Sequence, residues 1–369
     1  MWNTNWIFFL FILQLLTNCT PQEQPAEKQD TGSQLFTIGS KHKLKSAILN
    51  EEREYWVYLP EDYYDTTYAP YNYPVLYVLD GDRHFHSLSG IQNFLSSGPY
   101  TSLPEMIIVG ILNTDRPRDL TPTHHNRPDI GPRHAFPTSG GGASFLQFIE
   151  EELMTEISSN YRTNDYKLLA GHSFGGLTTI YTLLSKPELF NAYIAIDPSV
   201  WWDDNYLLKK ARKELDSMDL SGRRLYLAQA NFIPIPMDTT TEHERALSAF
   251  KNELKKVNNG LKWQYKFYTN EDHGTIPLIA EYDGLRFIFE GFQSEIKMVA
   301  EDPQLIIDNY EQVSENLGYQ FIPTESLIDW VANYSLRMGN KDQAKKLFEL
   351  NATLYPHSEH AQSQLKRIN

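Results

Sequence analysis

Residues 168–179 read Leu-Leu-Ala-Gly-His-Ser-Phe-Gly-Gly-Leu-Thr-Thr, and this stretch leaves the chain few options. An apolar run ends at Gly171, and Ser173 stands between Gly171 and Gly175. A segment with helical spacing follows, from Gly176 to Pro187. Glycines two positions to each side of a serine let a strand and a helix approach closely across a tight turn. The serine then sits at the tip of a strained turn, with the helix N-terminus placing positive dipole beside it. A glycine-rich turn carrying a solvated serine is the alternative. The flanking strand and helix favour Ser173 as a nucleophile.

The same alternation recurs along the chain. "YWVYLPEDYY", "YPVLYVLDGD", "EMIIVGILN", "YKLLAG", "AYIAIDPS", "RLYLAQAN" and "WQYKFY" are short apolar runs, most of them closed by turn residues. They read as buried strands of a mainly parallel sheet. "FLQFIEEELMTEISSNY", "GLTTIYTLLSKP" and "HERALSAFKNELKKV" carry helical spacing. Strands alternating with helices predict an α/β sheet with helices on both faces. At 369 residues and 41% hydrophobic composition, the chain can build one large core with a small addition. Strand signals stop near residue 300. The segment ending "NYSLRMGNKDQAKKLFELNATLYP" predicts a helix pair in which Gly339, Ala344, Phe348 and Pro356 resemble half of a tetratricopeptide repeat. A plain helical hairpin is the alternative. A lone repeat cannot bury its own face, so it is expected to pack on the α/β body.

The N-terminus reads differently. "WIFFLFILQLLTN" has the length of a signal-peptide core and is short for a membrane span. It runs into Cys19, the chain's one cysteine, and Leu16-Thr17-Asn18-Cys19 resembles the lipobox of bacterial lipoproteins. Residues 1–6 lack Lys and Arg, and Asn18 is larger than is usual there. Cys19 is the expected lipidation site of an exported, membrane-anchored protein. Residues 20–34 are polar and aperiodic, as a tether would be. The expected organisation is a signal segment over 1–19, a tether over 20–34, an α/β domain over 35–298 and a helical extension over 299–369. The net charge of −14, with no long basic stretch, disfavours a nucleic-acid partner.

A serine nucleophile needs a base. Where a serine sits on a turn of this kind the order runs Ser, acid, His, so the base is sought after Ser173, where the histidines are His243, His273, His357 and His360. His357 and His360 lie in the helical tail and His243 at a helix start. His273 lies in the loop "TNEDHGTIP" directly after a strand, and it is the expected base.

These residues carry a resemblance. "VLYVLDGDRHF", "GILNTDRPRDLTPT", "LLAGHSFGGL", "KPELFNAYIAIDPSVWWDD" and "NEDHGTIPLIAEYDGLRFIF" are similar to segments of the esterase D-like and siderophore-esterase branch of the α/β-hydrolase superfamily. The resemblance covers residues 35 to 295 approximately. It implies the α/β-hydrolase fold, hydrolysis of a carboxylic ester through an acyl-enzyme, and no cofactor. It implies an oxyanion hole formed by the backbone N–H groups of Phe174 and Asp82. The implied substrates are a catecholate siderophore, an acetylated or feruloylated glycan, or a small acyl ester. A peptidase or thioesterase on the same fold, and a catalytically idle binding protein using its helical tail, are the competing readings.

The third triad member is less defined. The order Ser, acid, His places the acid before His273, and the resemblance implies a position after "RLYLAQAN", whose end faces the histidine loop in this fold. "FIPIPMDTTTEHERAL" offers Asp238, Glu242 and Glu244. Asp238, in a Pro-broken loop, is the expected acid, with Glu242 second and a Ser–His dyad open. Asp238 would serve equally as a helix cap. Arg116, beside Arg118 and Asp119, is expected either to bind substrate or to fix its loop in an Arg–Asp pair. Trp201 and Trp202 are expected either to line the substrate pocket or to cap the core. Residues 122–142 form a long Pro-, Gly- and His-rich loop of the lid or specificity kind. His124, His125 and His134 lack the partners that would complete a metal site, and no metal is expected.

Overall fold

A computed structural model describes residues 36–368 apart from 99, 132–133 and 232–240. Its centre is an eight-stranded sheet in the order β1-β2-β4-β3-β5-β6-β7-β8. The strands are β1 (Ser40–Ser46), β2 (Glu51–Tyr58), β3 (Tyr73–Leu79), β4 (Ile107–Ile111), β5 (Thr163–His172), β6 (Ala192–Ile196), β7 (Arg224–Ala230) and β8 (Lys262–Tyr268). β1 pairs antiparallel with β2, and β2 antiparallel with β4. From β4 to β8 every pairing is parallel. β3, β4, β6 and β7 are buried along their whole length, as continuous apolar runs in a sheet covered on both faces should be.

The pleat divides the core in two. In β3, Tyr73, Val75, Tyr77 and Leu79 face one apolar cluster, while Leu76 and Val78 face the other. α1 (Gly81–Ser96) covers the second cluster with Phe85, Leu88 and Leu95. α2 (Arg116–Asp119) is a single turn after β4. α3 (Gly142–Gln147) and α4 (Met154–Asn160) are joined by a π-helical stretch over Phe148–Leu153. Together with α5 (Phe174–Ser185), α6 (Trp202–Glu214) and α7 (Glu242–Leu254), they cover the first face. α8 (Ile276–Ile288) returns to the second face.

The C-terminal helices are α9 (Ile296–Glu301), α10 (Gln304–Leu317), α11 (Glu325–Arg337), α12 (Lys341–Leu354) and α13 (Glu359–Ile368). They pack on that same second face. Phe321, Ile328, Leu347 and Phe348 belong to one buried cluster with Tyr166 of β5 and Phe289 after α8. The Tyr166 and Phe321 rings lie 5.3 Å apart, nearly edge to face. Glu325 is 2% exposed; it accepts the Ala69 backbone N–H at 2.6 Å and the Ser358 hydroxyl at 2.6 Å. Residues from Ile38 onward therefore form one unit, and the expected boundary at 298/299 does not divide the core.

Beyond β4 the loop is anchored by charge. Buried Asp119 accepts from Arg53 of β2 at 2.5 Å and from Arg118 at 2.7 Å, and both arginines also reach Glu51. A buried carboxylate held by two guanidinium groups keeps the loop over the C-terminal strand ends.

Candidate active site

Ser173 occupies the turn between β5 and α5 with φ 58° and ψ −114°, a conformation costly for a residue with a side chain. The neighbouring glycines make the turn possible. A Cβ built on Gly171 would lie 2.4 Å from the carbonyl carbon and oxygen of Gly175. The strained backbone is held on several sides. The Ser173 N–H donates to Ile196 O at 3.0 Å, while its carbonyl accepts from Leu177 N at 2.9 Å and Ser199 N at 3.1 Å. The half-buried Ser173 hydroxyl lies 3.4 Å from Ser199 Oγ. Phe174 is the first residue of α5, where backbone N–H groups have no partner within the helix.

A second helix begins beside it. Asp80 is the N-cap of α1, with φ 54°. Its Oδ2 lies 3.3 Å from where a Cβ on Gly175 would stand, so the turn after β3 abuts the start of α5. Exposed Asp82 is in the first turn of α1. Arg116 grips Asp80 with both arms, Nε to Oδ1 at 2.6 Å and Nη2 to Oδ2 at 2.8 Å, and Asn113 Nδ2 adds a bond at 2.6 Å. The guanidinium also lies over the Phe174 ring at 5.3 Å. Burial pushes the Asp80 carboxyl up, and the bonds from Arg116 and Asn113 overcome this and hold it below its ordinary value. Of the two expectations for Arg116, the structure shows the loop-fixing pair, formed with Asp80. Its fork ties the segment after β4 to the turn after β3, and Nη2 also reaches His172 O at the end of β5 at 3.5 Å.

His273 lies in the loop after β8, and its Nδ1 is 2.6 Å from Asp197 Oδ2. Asp197 directly follows β6, is 2% exposed and has φ 41°. Its Oδ1 accepts from the Ala230 backbone N–H at 3.0 Å and lies 3.0 Å from His243 Nε2. Burial would raise this carboxyl; the hydrogen bonds from His243 and His273 together hold it well below the usual carboxylate range. The carboxylate beside His273 is thus Asp197, where Asp238 was expected. Asp238 lies outside the described residues. Glu242 and Glu244 stand in the first turn of α7, and Glu244 completes a capping box with Thr241.

Asp197 escaped the reading of the sequence, and His243 was weighed there only as a base and set aside. The signal for Asp197 was available in Ile196-Asp197-Pro198-Ser199, an acid at the carboxyl end of a buried parallel strand. His243 carried none, because nothing local tells a helix-start histidine that its ring will meet β6.

The floor of the site is a second imidazole. His172, buried, packs its ring 4.5 Å from that of His273, centroid to centroid. Burial, with His273 and His84 nearby, pushes His172 down to about 3, so it is a neutral ring at ordinary pH. Behind it His84 meets Glu281 at 2.7 Å, both buried.

The two tryptophans separate. Trp202 is fully buried and its indole N–H donates to Thr123 Oγ1 at 3.1 Å, so it caps the core. Trp201 is half-buried against Phe174 and His134 and forms an aromatic wall. The loop over 122–142 is tied down by buried Ser139, which accepts the His125 N–H at 2.9 Å and donates to Phe136 O at 2.7 Å. Phe136 packs on Phe174 and Trp202. His124 Nδ1 meets Ser139 O at 3.0 Å and His125 Nδ1 meets Asp203 at 3.2 Å. Asp203, Asp204 and Asn205 all have positive φ, a strained run at the rim of this wall.

Comparison with known proteins agrees with this architecture. Residues 46–286 match the family described as "Putative esterase". The ferri-bacillibactin esterase BesA of Bacillus subtilis is 32% identical over 201 residues, 51% of this chain and 69% of that protein. The siderophore enterobactin esterase of Emericella nidulans is 27% identical over 58% of this chain and 81% of that protein. The crystal structure of an IroE-like serine hydrolase from Shewanella oneidensis superposes with a TM-score of 0.77 at 34% identity, covering 86% of this chain and 99% of that one. With the α/β-hydrolase sheet, the serine turn and these matches taken together, the chain belongs to this esterase family and is a carboxylic ester hydrolase.

Proposed function

We propose that the protein hydrolyses siderophore esters with Ser173 as nucleophile, His273 as base and Asp197 as the acid that orients it. The observation that carries this is the 2.6 Å bond between His273 Nδ1 and Asp197 Oδ2. It directs the other ring nitrogen, Nε2, away from the acid and leaves it as the base. Ser173 Oγ attacks the ester carbonyl and passes its proton to Nε2. The oxyanion is held by the N–H of Phe174 and that of Asp82, at the starts of two abutting helices. His273 then protonates the leaving alcohol, and the same nitrogen deprotonates the water that resolves the acyl-enzyme. His172 supports the imidazole from below without competing for its proton.

The names of the relatives favour a siderophore over a glycan or a simple acyl ester. The wall of Trp201 and Phe174 suits an aromatic acyl group. The test compares kcat/KM for an iron-loaded siderophore triester with that for acetylated and feruloylated glycans, a thioester and a peptide. The siderophore is expected to lead. A glycan or peptide in first place overturns the substrate assignment, and no labelling of Ser173 by a fluorophosphonate returns the chain to a binding role.

Cys19 is proposed as a lipidated first residue that anchors the protein to a membrane after export. Support comes from the apolar run that ends on the chain's one cysteine. Cys19 lies outside the described residues, and among those described no helix is long and apolar enough to cross a membrane. Intact mass of the native protein tests it, with a diacylated or triacylated chain starting at residue 19 expected. The C-terminal helices bury their apolar faces on the body, so a protein partner would have to use their outer surface.

A further inference from the structure

An ester hydrolase of this kind needs one imidazole on its acid, and Asp197 has two. His273 approaches Oδ2 at 2.6 Å and His243 approaches Oδ1 at 3.0 Å. One ligand atom from each of Asp197, His243 and His273 can be chosen so that all lie within 4.8 Å of one another, the one such group among the described residues. The three come from separate elements: the end of β6, the first turn of α7 and the loop after β8. The carboxylate is buried and fixed by the Ala230 N–H. The His243 side chain is 17% exposed and that of His273 45% exposed, so an ion can enter and one ligand has room to adjust.

We propose that this constellation binds a divalent ion of the zinc class and that its binding switches the esterase off; the second part rests on His273 being the base. Two imidazoles and one carboxylate, with a water in the fourth position, are a donor set suited to Zn²⁺. Imidazole ligands disfavour Mg²⁺ and Ca²⁺, which prefer all-oxygen sites. The Ala230 N–H supplies the outer hydrogen bond that holds a ligating carboxylate in place.

Coordination changes the proton inventory without oxidation or reduction. In the free site the proton on His243 Nε2 and that on His273 Nδ1 both point at Asp197. The ion forms bonds to these two nitrogens and to a carboxylate oxygen. Each displaced proton exchanges through solvent to the opposite nitrogen of its own ring. For His273 that opposite nitrogen is Nε2, which becomes an N–H and can no longer accept the proton of Ser173. The ion therefore acts on kcat by removing the base.

Binding can be read without turnover. Full-length protein carrying Ser173→Ala keeps all three ligands. Stripped with a chelator and titrated with Co²⁺, it is expected to bind one equivalent with the visible d–d bands of a low-coordinate site, displaced by Zn²⁺. His243→Gln retains an N–H donor for Asp197 but offers a poor ligand. It is expected to weaken binding by at least the roughly 10–100-fold that loss of an outer-shell partner alone costs. In the protein with Ser173 intact, Zn²⁺ is expected to lower kcat, EDTA to restore it, and His243→Gln to remove the sensitivity. No stoichiometric site in Ser173→Ala, equal affinity in His243→Gln, or full activity with the site loaded overturns the proposal. Chelated protein with Ser173 intact but no esterase activity would count against the assigned function, while the Co²⁺ titration would still decide the metal site.

Discussion

His273 and Asp197, 76 positions apart in the chain, are joined through Nδ1 and Oδ2 at 2.6 Å. The bond links the loop after β8 to the end of β6, with β7 lying between them in the sheet. Asp197→Asn is expected to reduce kcat by roughly 10³–10⁴-fold, because the amide presents the wrong partner to Nδ1 and loses the charge that stabilises the imidazolium. Asp238→Asn, measured alongside, is expected to stay close to the unmodified protein. The reverse pattern in steady-state kinetics would move the acid back to Asp238.

Ser173 combines φ 58° with a side chain. Ser173→Gly removes the nucleophile and the steric conflict together. It is expected to abolish turnover and raise stability by about 1 kcal/mol after allowing for the greater chain entropy of glycine. Ser173→Ala loses turnover without that gain. Denaturant melts of the two variants check this, and equal stability would mean that the turn is unstrained.

Arg116 grips Asp80 with both arms of its guanidinium. Arg116→Lys keeps the charge and loses the fork. It is expected to lower kcat/KM on the order of 10–100-fold for neutral and anionic esters alike, as a misplaced oxyanion turn would. A loss confined to anionic esters would instead make Arg116 a substrate-binding residue.

Glu105 lies just before β4, in a cavity of about 580 Å³ lined also by Asp62, Tyr71, Tyr310 and Trp330. Burial, reinforced by Asp62 and Glu61, pushes its carboxyl up to about 7. The unfolded chain releases this proton near the ordinary value of 4.5, so between these values the folded state holds more protons. Stability therefore falls as pH rises from 4.5 to 7, by up to on the order of 3 kcal/mol. Glu105→Gln is expected to raise the melting temperature at pH 8 and leave it nearly unchanged at pH 4. Equal shifts at both pH values would disconnect the effect from ionisation.

The strands that carry the site were legible because burial on both faces writes them as unbroken apolar runs, and β3 to β7 fall where those runs predict. β1 was not, since "SKHKLKS" is a largely exposed edge strand with no apolar pattern to betray it. α1 was not among the helical segments read from the sequence; Gly81 opens it against Gly110, where its Cβ would be 2.6 Å from the carbonyl carbon. Ser173 and His273 were legible from turn chemistry and chain order. The acid was not, because that order admits any carboxylate between them, and which strand end faces the imidazole is decided by sheet packing.

The shared core of the last helices and the sheet also sets a schedule. Tyr166, Phe289 and Phe292 find partners in Phe321 and Tyr310, and beyond them lie Ile328, Leu347 and Phe348 of the same cluster. A chain emerging N-terminus first thus carries Ser173, Asp197 and His273 into the open well before the face beneath them can close. The nascent protein keeps an apolar flank uncovered until nearly its final residues arrive. A stop codon or nick after the α/β portion would leave Ser173, Asp197 and His273 present on a body that sticks to its neighbours.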